Sequence, residues 1–108
     1  MQAGIVVYQR QGNQLVGLWS HENTGGAPAS EIVHDVAPGP LHGDWRVEMF
    51  EPGGTPYFTG RLRAAKLGSC VKLIWEGWLL DGKPARFEGI GYASSADVLS
   101  ATFELIAA

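Results

Sequence analysis

The chain of 108 residues has one cysteine, Cys70. A lone thiol excludes an internal disulfide and a cysteine-based zinc cluster, and it suits a reducing compartment. Charge is scarce as well. Only 18% of residues are charged, with 8 lysines and arginines against 11 aspartates and glutamates, for a formal net charge of −3. Without a basic footprint, nucleic acid is not an expected partner. Long apolar runs are missing: no segment approaches the ~18 consecutive apolar residues of a spanning helix. Residues 1–20 also lack a basic stretch followed by a sustained apolar core. The expectation is a cytoplasmic protein with no membrane partner, export being left open. No segment keeps a helical period over a useful length.

What is abundant is glycine, at 15 residues, together with 4 tryptophans and a hydrophobic content of 45%. Glycine disfavours helix, while tryptophan needs a large packed volume, so the pair suits strongly curved β structure. Period-two runs recur between turn residues, which predicts strands over 3–9, 14–21, 30–36, 43–51, 56–66, 70–80, 84–93 and 97–106. The segment 30–36 carries the weakest pattern. Residues 1–108 are therefore expected to form one all-β domain, a compact antiparallel eight-stranded up-and-down barrel.

Folding 43–51 onto 56–66 about Pro52–Thr55 sets Trp45, Val47 and Met49 against Leu62, Gly60 and Phe58 on an apolar face. The polar face then places Asp44 near Arg63, predicting a cross-strand ion pair, and Arg46 near Arg61. Val71, Leu73, Trp75, Gly77 and Leu79 continue the apolar face, followed by Phe87, Gly89 and Gly91. The opposite face groups Ile74, Trp78 and Leu80 with Ile90 and Tyr92, and Val6 and Tyr8 are read onto that outer face too. Tyr8, Leu15 and Trp19 share their spacing with Tyr92, Leu99 and Phe103, an internal echo between the first and last hairpins.

Gly43-Asp44-Trp45-Arg46-Val47, the run Glu51–Gly60, Leu73-Ile74-Trp75, Gly89-Ile90-Gly91-Tyr92 and Val98-Leu99-Ser100 follow one another in a recognisable order. Over about residues 43–104 the chain resembles small, mostly uncharacterised bacterial calycin-like (lipocalin/avidin-like) β-barrel domains. The resemblance implies a calycin-like barrel. It departs from lipocalins in the late position of Gly43-Asp44-Trp45 and in the Glu-Pro-Gly-Gly turn, and no biotin-contacting residues match. Neither lipocalin nor biotin chemistry is therefore carried over.

Catalytic constellations are weak. His21, His34 and His42 fall in one third of the chain with carboxylates nearby, yet their spacing matches no metal motif. Solvated loop histidines are the plainer reading, so no catalytic residue, metal site or cofactor is assigned. Gly89-Ile90-Gly91 precedes no helix and is not a phosphate loop. On the apolar face, small residues alternate with large ones, and an eight-stranded barrel either just fills with side chains or holds one small ligand. Trp19, Trp45, Phe58, Trp75 and Phe87 are the candidate lining for a hydrophobic or aromatic ligand, with 22–42 as its lid and no interior charge to orient a polar one. Ile74, Trp78, Ile90 and Tyr92 are the candidate interface of a homodimer or regulatory barrel. A non-catalytic ligand-binding barrel leads these readings, ahead of the interface protein and an enzyme using the histidines.

Overall fold

The computed structural model describes residues 3–22 and 25–107. Eight strands run in chain order: β1 (Ala3–Gln11), β2 (Gln14–His21), β3 (Ala29–Val33), β4 (Gly43–Phe50), β5 (Pro56–Leu67), β6 (Cys70–Leu79), β7 (Pro84–Ala93) and β8 (Val98–Ala107). Each pairs antiparallel with the next, and β8 returns to β1, so the sheet closes into an up-and-down barrel without an edge. Closure satisfies every strand's backbone groups on both sides, which a sheet of this size could not do open. No helix among the described residues is long and apolar enough to cross a membrane.

Alternation divides the residues along the strands, interrupted by register shifts at Met49/Phe50 and at Arg86/Phe87. Leu15, Val33, Val47, Leu62, Leu73 and Leu99 point inward and are fully buried. The register of β4 on β5 is as the hairpin predicts, with Trp45 opposite Leu62, Val47 opposite Gly60 and Met49 opposite Phe58. The ion pairs differ. Asp44 sits across from Arg63, but it is Arg61 Nε that donates to Asp44 Oδ1 at 2.6 Å, while Arg63 donates to Glu76 Oε1 at 2.7 Å. A guanidinium on a long stem reaches diagonal neighbours as readily as the residue opposite.

Two further expectations are corrected. Val6 and Tyr8 face the interior and are buried, while Ile5 and Val7 face out. Both sets are apolar, so composition cannot choose the phase of β1; pairing with Leu99 and Ala101 of β8 does. The echo between hairpins therefore fails at the tyrosines: Tyr8 is inside and Tyr92 outside. The third strand also ends at Val33 rather than residue 36. Asp35 adopts a left-handed φ of 58°, a conformation that aspartate tolerates better than most, and it turns the chain inward so that Val36 is buried.

That turn closes one end of the barrel. Val36 N donates to Asn13 O, and Val36 and Leu41 sit inside the core as a plug. Arg10 fastens it, donating from Nη1 to Ala37 O, from Nη2 to Gly39 O and from Nε to Ala96 O. The 34–42 segment is thus a seal at the end opposite the mouth and not a lid over it; of 22–42, residues 23 and 24 lie outside the described residues.

Gly60 and Gly77 lie directly opposite each other on β5 and β6. A Cβ on Gly60 would run into the Glu76 carbonyl, and one on Gly77 into the Thr59 carbonyl. Two backbones can approach so closely only where neither carries a side chain. Replacing Gly77 with alanine should lower the unfolding free energy by about 2 kcal/mol, because rigid backbone must move to admit the methyl. Urea unfolding of the Gly77→Ala variant measures this, and an unchanged midpoint would contradict it.

Candidate functional site

The interior is filled along most of its length and open at one end. The sealed end and the middle are packed mostly with aliphatic side chains, with Trp45 buried among them, while Phe58 is buried beneath the mouth, opposite Met49. At the other end, the mouth beneath the β2–β3 and β4–β5 connections holds a cavity of about 580 Å³. Trp19, Tyr57, Phe87 and Phe103 form its aromatic wall, with Met49 and Leu105 beside them and His21, Glu51 and Pro52 towards the rim.

Strand geometry explains why these side chains meet. Trp19 and His21 are two residues apart near the end of β2, so both face inward there. Trp19 Nε1 donates to Ser30 O at 2.8 Å, which satisfies the indole and fixes its plane. The Trp19 ring lies 5.7 Å from Tyr57 and 6.2 Å from Phe103, the latter edge-on. Phe103 is the hub: it also meets Phe87 edge-on at 6.1 Å, stacks on His21 at 6.0 Å and packs against Trp75 at 5.9 Å. Of the five residues expected to line a ligand site, Trp19 and Phe87 border this cavity. Trp45, Phe58 and Trp75 lie in the packed interior, Phe58 edge-on to Phe87 at 5.5 Å.

Below this floor lies a feature the sequence reading missed. Glu31, on β3, is only 1% exposed, contrary to the expectation of an interior without charge. Its Oε2 accepts hydrogen bonds from the Tyr8 hydroxyl and, at 3.1 Å, from Trp75 Nε1. Tyr8 belongs to β1 and Trp75 to β6, so one carboxyl ties three strands across the lumen. Gly17 makes the arrangement possible, since a Cβ there would press into the Tyr8 ring. Burial pushes the Glu31 carboxyl up from 4.5 to about 7, against the two hydrogen bonds that favour the ionised form. Burial first, and then the neighbouring Glu31 charge, raises the Tyr8 hydroxyl well above its usual range. The signal was available in the register: Leu15, Gly17 and Trp19 face inward, and they pair with Val33, Glu31 and Ala29.

The histidines do not converge. His21 is at the mouth, whereas His34 lies towards the sealed end with Nε2 2.7 Å from Glu48 Oε1, and His42 is exposed beyond it. Among the described residues no three histidine, cysteine, aspartate or glutamate side chains are grouped to hold a metal ion.

The proposed interface residues divide into separate regions. Trp78 is 56% exposed near the mouth, while Ile90 and Tyr92 lie further down β7. Ion pairs among Arg63, Glu76, Arg86, Glu88 and Lys72 run between them, and Ile74 sits across from Arg63 and Glu88. Ile90 and Tyr92 instead share a groove of about 440 Å³ with Ile5 and Val7 of β1, across the small Ser100 and Thr102 of β8. In comparisons with known proteins, no family model matches the chain, and no curated protein or solved structure matches it significantly.

The buried carboxyl makes stability depend on pH. Its folded value lies above the unfolded one, so between 4.5 and about 7 the folded chain holds a proton that the unfolded chain releases. The contribution is therefore full below 4.5 and declines by about 3 kcal/mol as pH rises through 7. Glu31→Gln keeps an acceptor for both donors without the charge. Its stability relative to wild type should rise from pH 5 to about pH 7 and level off above that in denaturant unfolding; a gap independent of pH would refute the assignment.

Proposed function

We propose that the chain is a calycin-like barrel that takes a small hydrophobic or aromatic molecule into its open mouth and catalyses no reaction. The observation that carries this reading is the asymmetry of the interior. One end is plugged by Val36 and Leu41, whereas the other keeps a cavity walled by Trp19, Tyr57, Phe87 and Phe103. A barrel that only had to fold would gain by filling that volume, since empty apolar space forfeits contacts. Concave, mostly aromatic cavities with a few polar groups at the rim are the usual form of small-molecule sites. The outer wall, with Arg61, Arg63, Glu76, Lys72 and Glu88 in ion pairs, is unlike a lipid-facing surface. One cysteine, half-buried and without a disulfide, is consistent with a cytoplasmic setting.

A second reading, a homodimer or interaction barrel, is favoured by the groove between β1 and β7. Ile5 and Tyr92, at 59% and 57% exposed, flank it, and an exposed apolar surface of this kind marks interaction sites. Self-association through this face would be two-fold, the commonest arrangement.

Each reading has its own test. Titrating the protein with 1-naphthol or a neutral naphthalene derivative should quench tryptophan fluorescence and yield a dissociation constant in the micromolar range, on the order of −8 kcal/mol. Substituting tryptophan for Ala27 at the rim should weaken binding at least tenfold; equal binding by that variant would remove the mouth as the site. For the second reading, sedimentation equilibrium should show dimers that Ile90→Glu disperses. Monomers at all concentrations would dismiss it.

A further inference from the structure

We propose that the mouth selects an organic cation: an apolar, preferably aromatic, body bearing one protonated amine. This rests on the reading of the mouth as a ligand site and names the chemistry of what enters it. The walls are the first support. Trp19, Tyr57, Phe87 and Phe103 meet at varied angles, Trp19 and Tyr57 at 35° and Phe87 and Phe103 at 80°. Four rings therefore border one cavity in different orientations, and a cation within about 6 Å of an aromatic face is attracted by its electron density.

The rim is the second. Glu51 lines the same cavity, at the start of the β4–β5 turn. Its backbone is fixed there, with Glu51 N donating to Thr55 O at 2.8 Å and Gly54 N donating to Glu51 O at 2.9 Å. The side chain is exposed at the rim, and its carboxylate forms no ion pair with any described residue. That charge already acts on the wall: with partial burial as the larger cause, it raises the Tyr57 hydroxyl above its usual range.

The third is the sign of the remaining charge. The connections at this end contribute Glu22, Glu51 and Asp81 against one cation, Lys83, whose Nζ lies 3.9 Å from Asp81 Oδ2. Glu22 is engaged locally, accepting from Ala3 N at 2.8 Å. No lysine or arginine lines the cavity among the described residues, so a carboxylate or phosphate ligand finds no permanent cationic partner there. His21 borders it too, stacked on Phe103. An anion at the rim, aromatic rings within and no lysine or arginine in the described lining together favour a ligand whose charge is positive.

Isothermal titration calorimetry with three probes of one shape tests this: 1-naphthylmethylamine, 1-naphthalenemethanol and 1-naphthoate. The amine should bind about tenfold more tightly than the alcohol, with the carboxylate weakest. Glu51→Gln should abolish most of the amine's advantage while leaving alcohol binding unchanged. Asp35→Asn removes one negative charge at the sealed end and should leave the preference intact. Equal binding of amine and alcohol, or an Asp35→Asn effect as large as that of Glu51→Gln, would overturn the cation assignment and leave the ligand site standing. Failure of all three probes to bind would overturn the ligand site and the cation assignment together.

Discussion

The hydrogen bonds that converge on Glu31 constrain the structure more than any other contact. A carboxyl moved from water into an apolar interior carries a desolvation penalty that its partners offset only in good geometry. Here both partners are themselves polar tips of large buried side chains, the Tyr8 hydroxyl and the Trp75 indole, so three groups that would each be costly alone satisfy one another. They come from β1, β3 and β6, strands that do not pair with each other. A one-residue slip of β3 would turn Glu31 outwards and strand both donors, while a slip of β1 or β6 would break one of the two bonds and turn that donor outwards. The cluster thereby discriminates against slipped registers that an entirely aliphatic core would tolerate.

The same cluster divides the barrel lengthwise. Towards the plug, aliphatic side chains pack around Trp45; towards the mouth, Trp75 supports Phe103, and Phe103 in turn supports Trp19, Phe87 and His21. The aromatic floor is thus held from below by an indole whose own N–H is pinned. Large, stiff rings anchored in this way can leave space above them without collapsing into it, since each has few torsions and each is braced by a neighbour. Glycine supplies the complementary half of the design: Gly17 yields its volume to Tyr8, and Gly60 with Gly77 lets β5 and β6 approach and coil.

The sequence made the architecture legible because turn residues punctuate it and because alternation is a local property. Glu51–Thr55 fixes one hairpin, and the register of β4 on β5 follows residue by residue. What stayed hidden depended on contacts between segments far apart in the chain. The phase of β1 is ambiguous locally, as Ile5 and Val7 are as apolar as Val6 and Tyr8; only closure against β8 decides it. Glu31 reads as a surface carboxylate in a five-residue strand, and its two donors lie 23 positions before it and 44 after it. The mouth was visible as aromatic content, but not as a place. Trp19 and Phe87 reach it, whereas Trp45, Phe58 and Trp75 of the same apolar face are spent on packing.

The two ends of the barrel also differ in what their charges can do. At the sealed end, the Arg10 guanidinium donates to Ala37 O and Gly39 O of the plug and to Ala96 O of the β7–β8 connection, with Asp97 Oδ1 3.5 Å from its Nε, so it ties the plug to that connection. Along the outer wall, arginine and lysine are matched to carboxylates on neighbouring strands, and such exposed pairs contribute well under ~1 kcal/mol each. At the mouth the Glu51 backbone is held in its turn, and its exposed carboxylate forms no ion pair with any described residue. The buried carboxyl, bonded to Tyr8 and Trp75, fixes the interior, and the exposed rim carboxylate of Glu51 is the group on which the proposed selection at the mouth depends; a floor of aromatic rings separates the two.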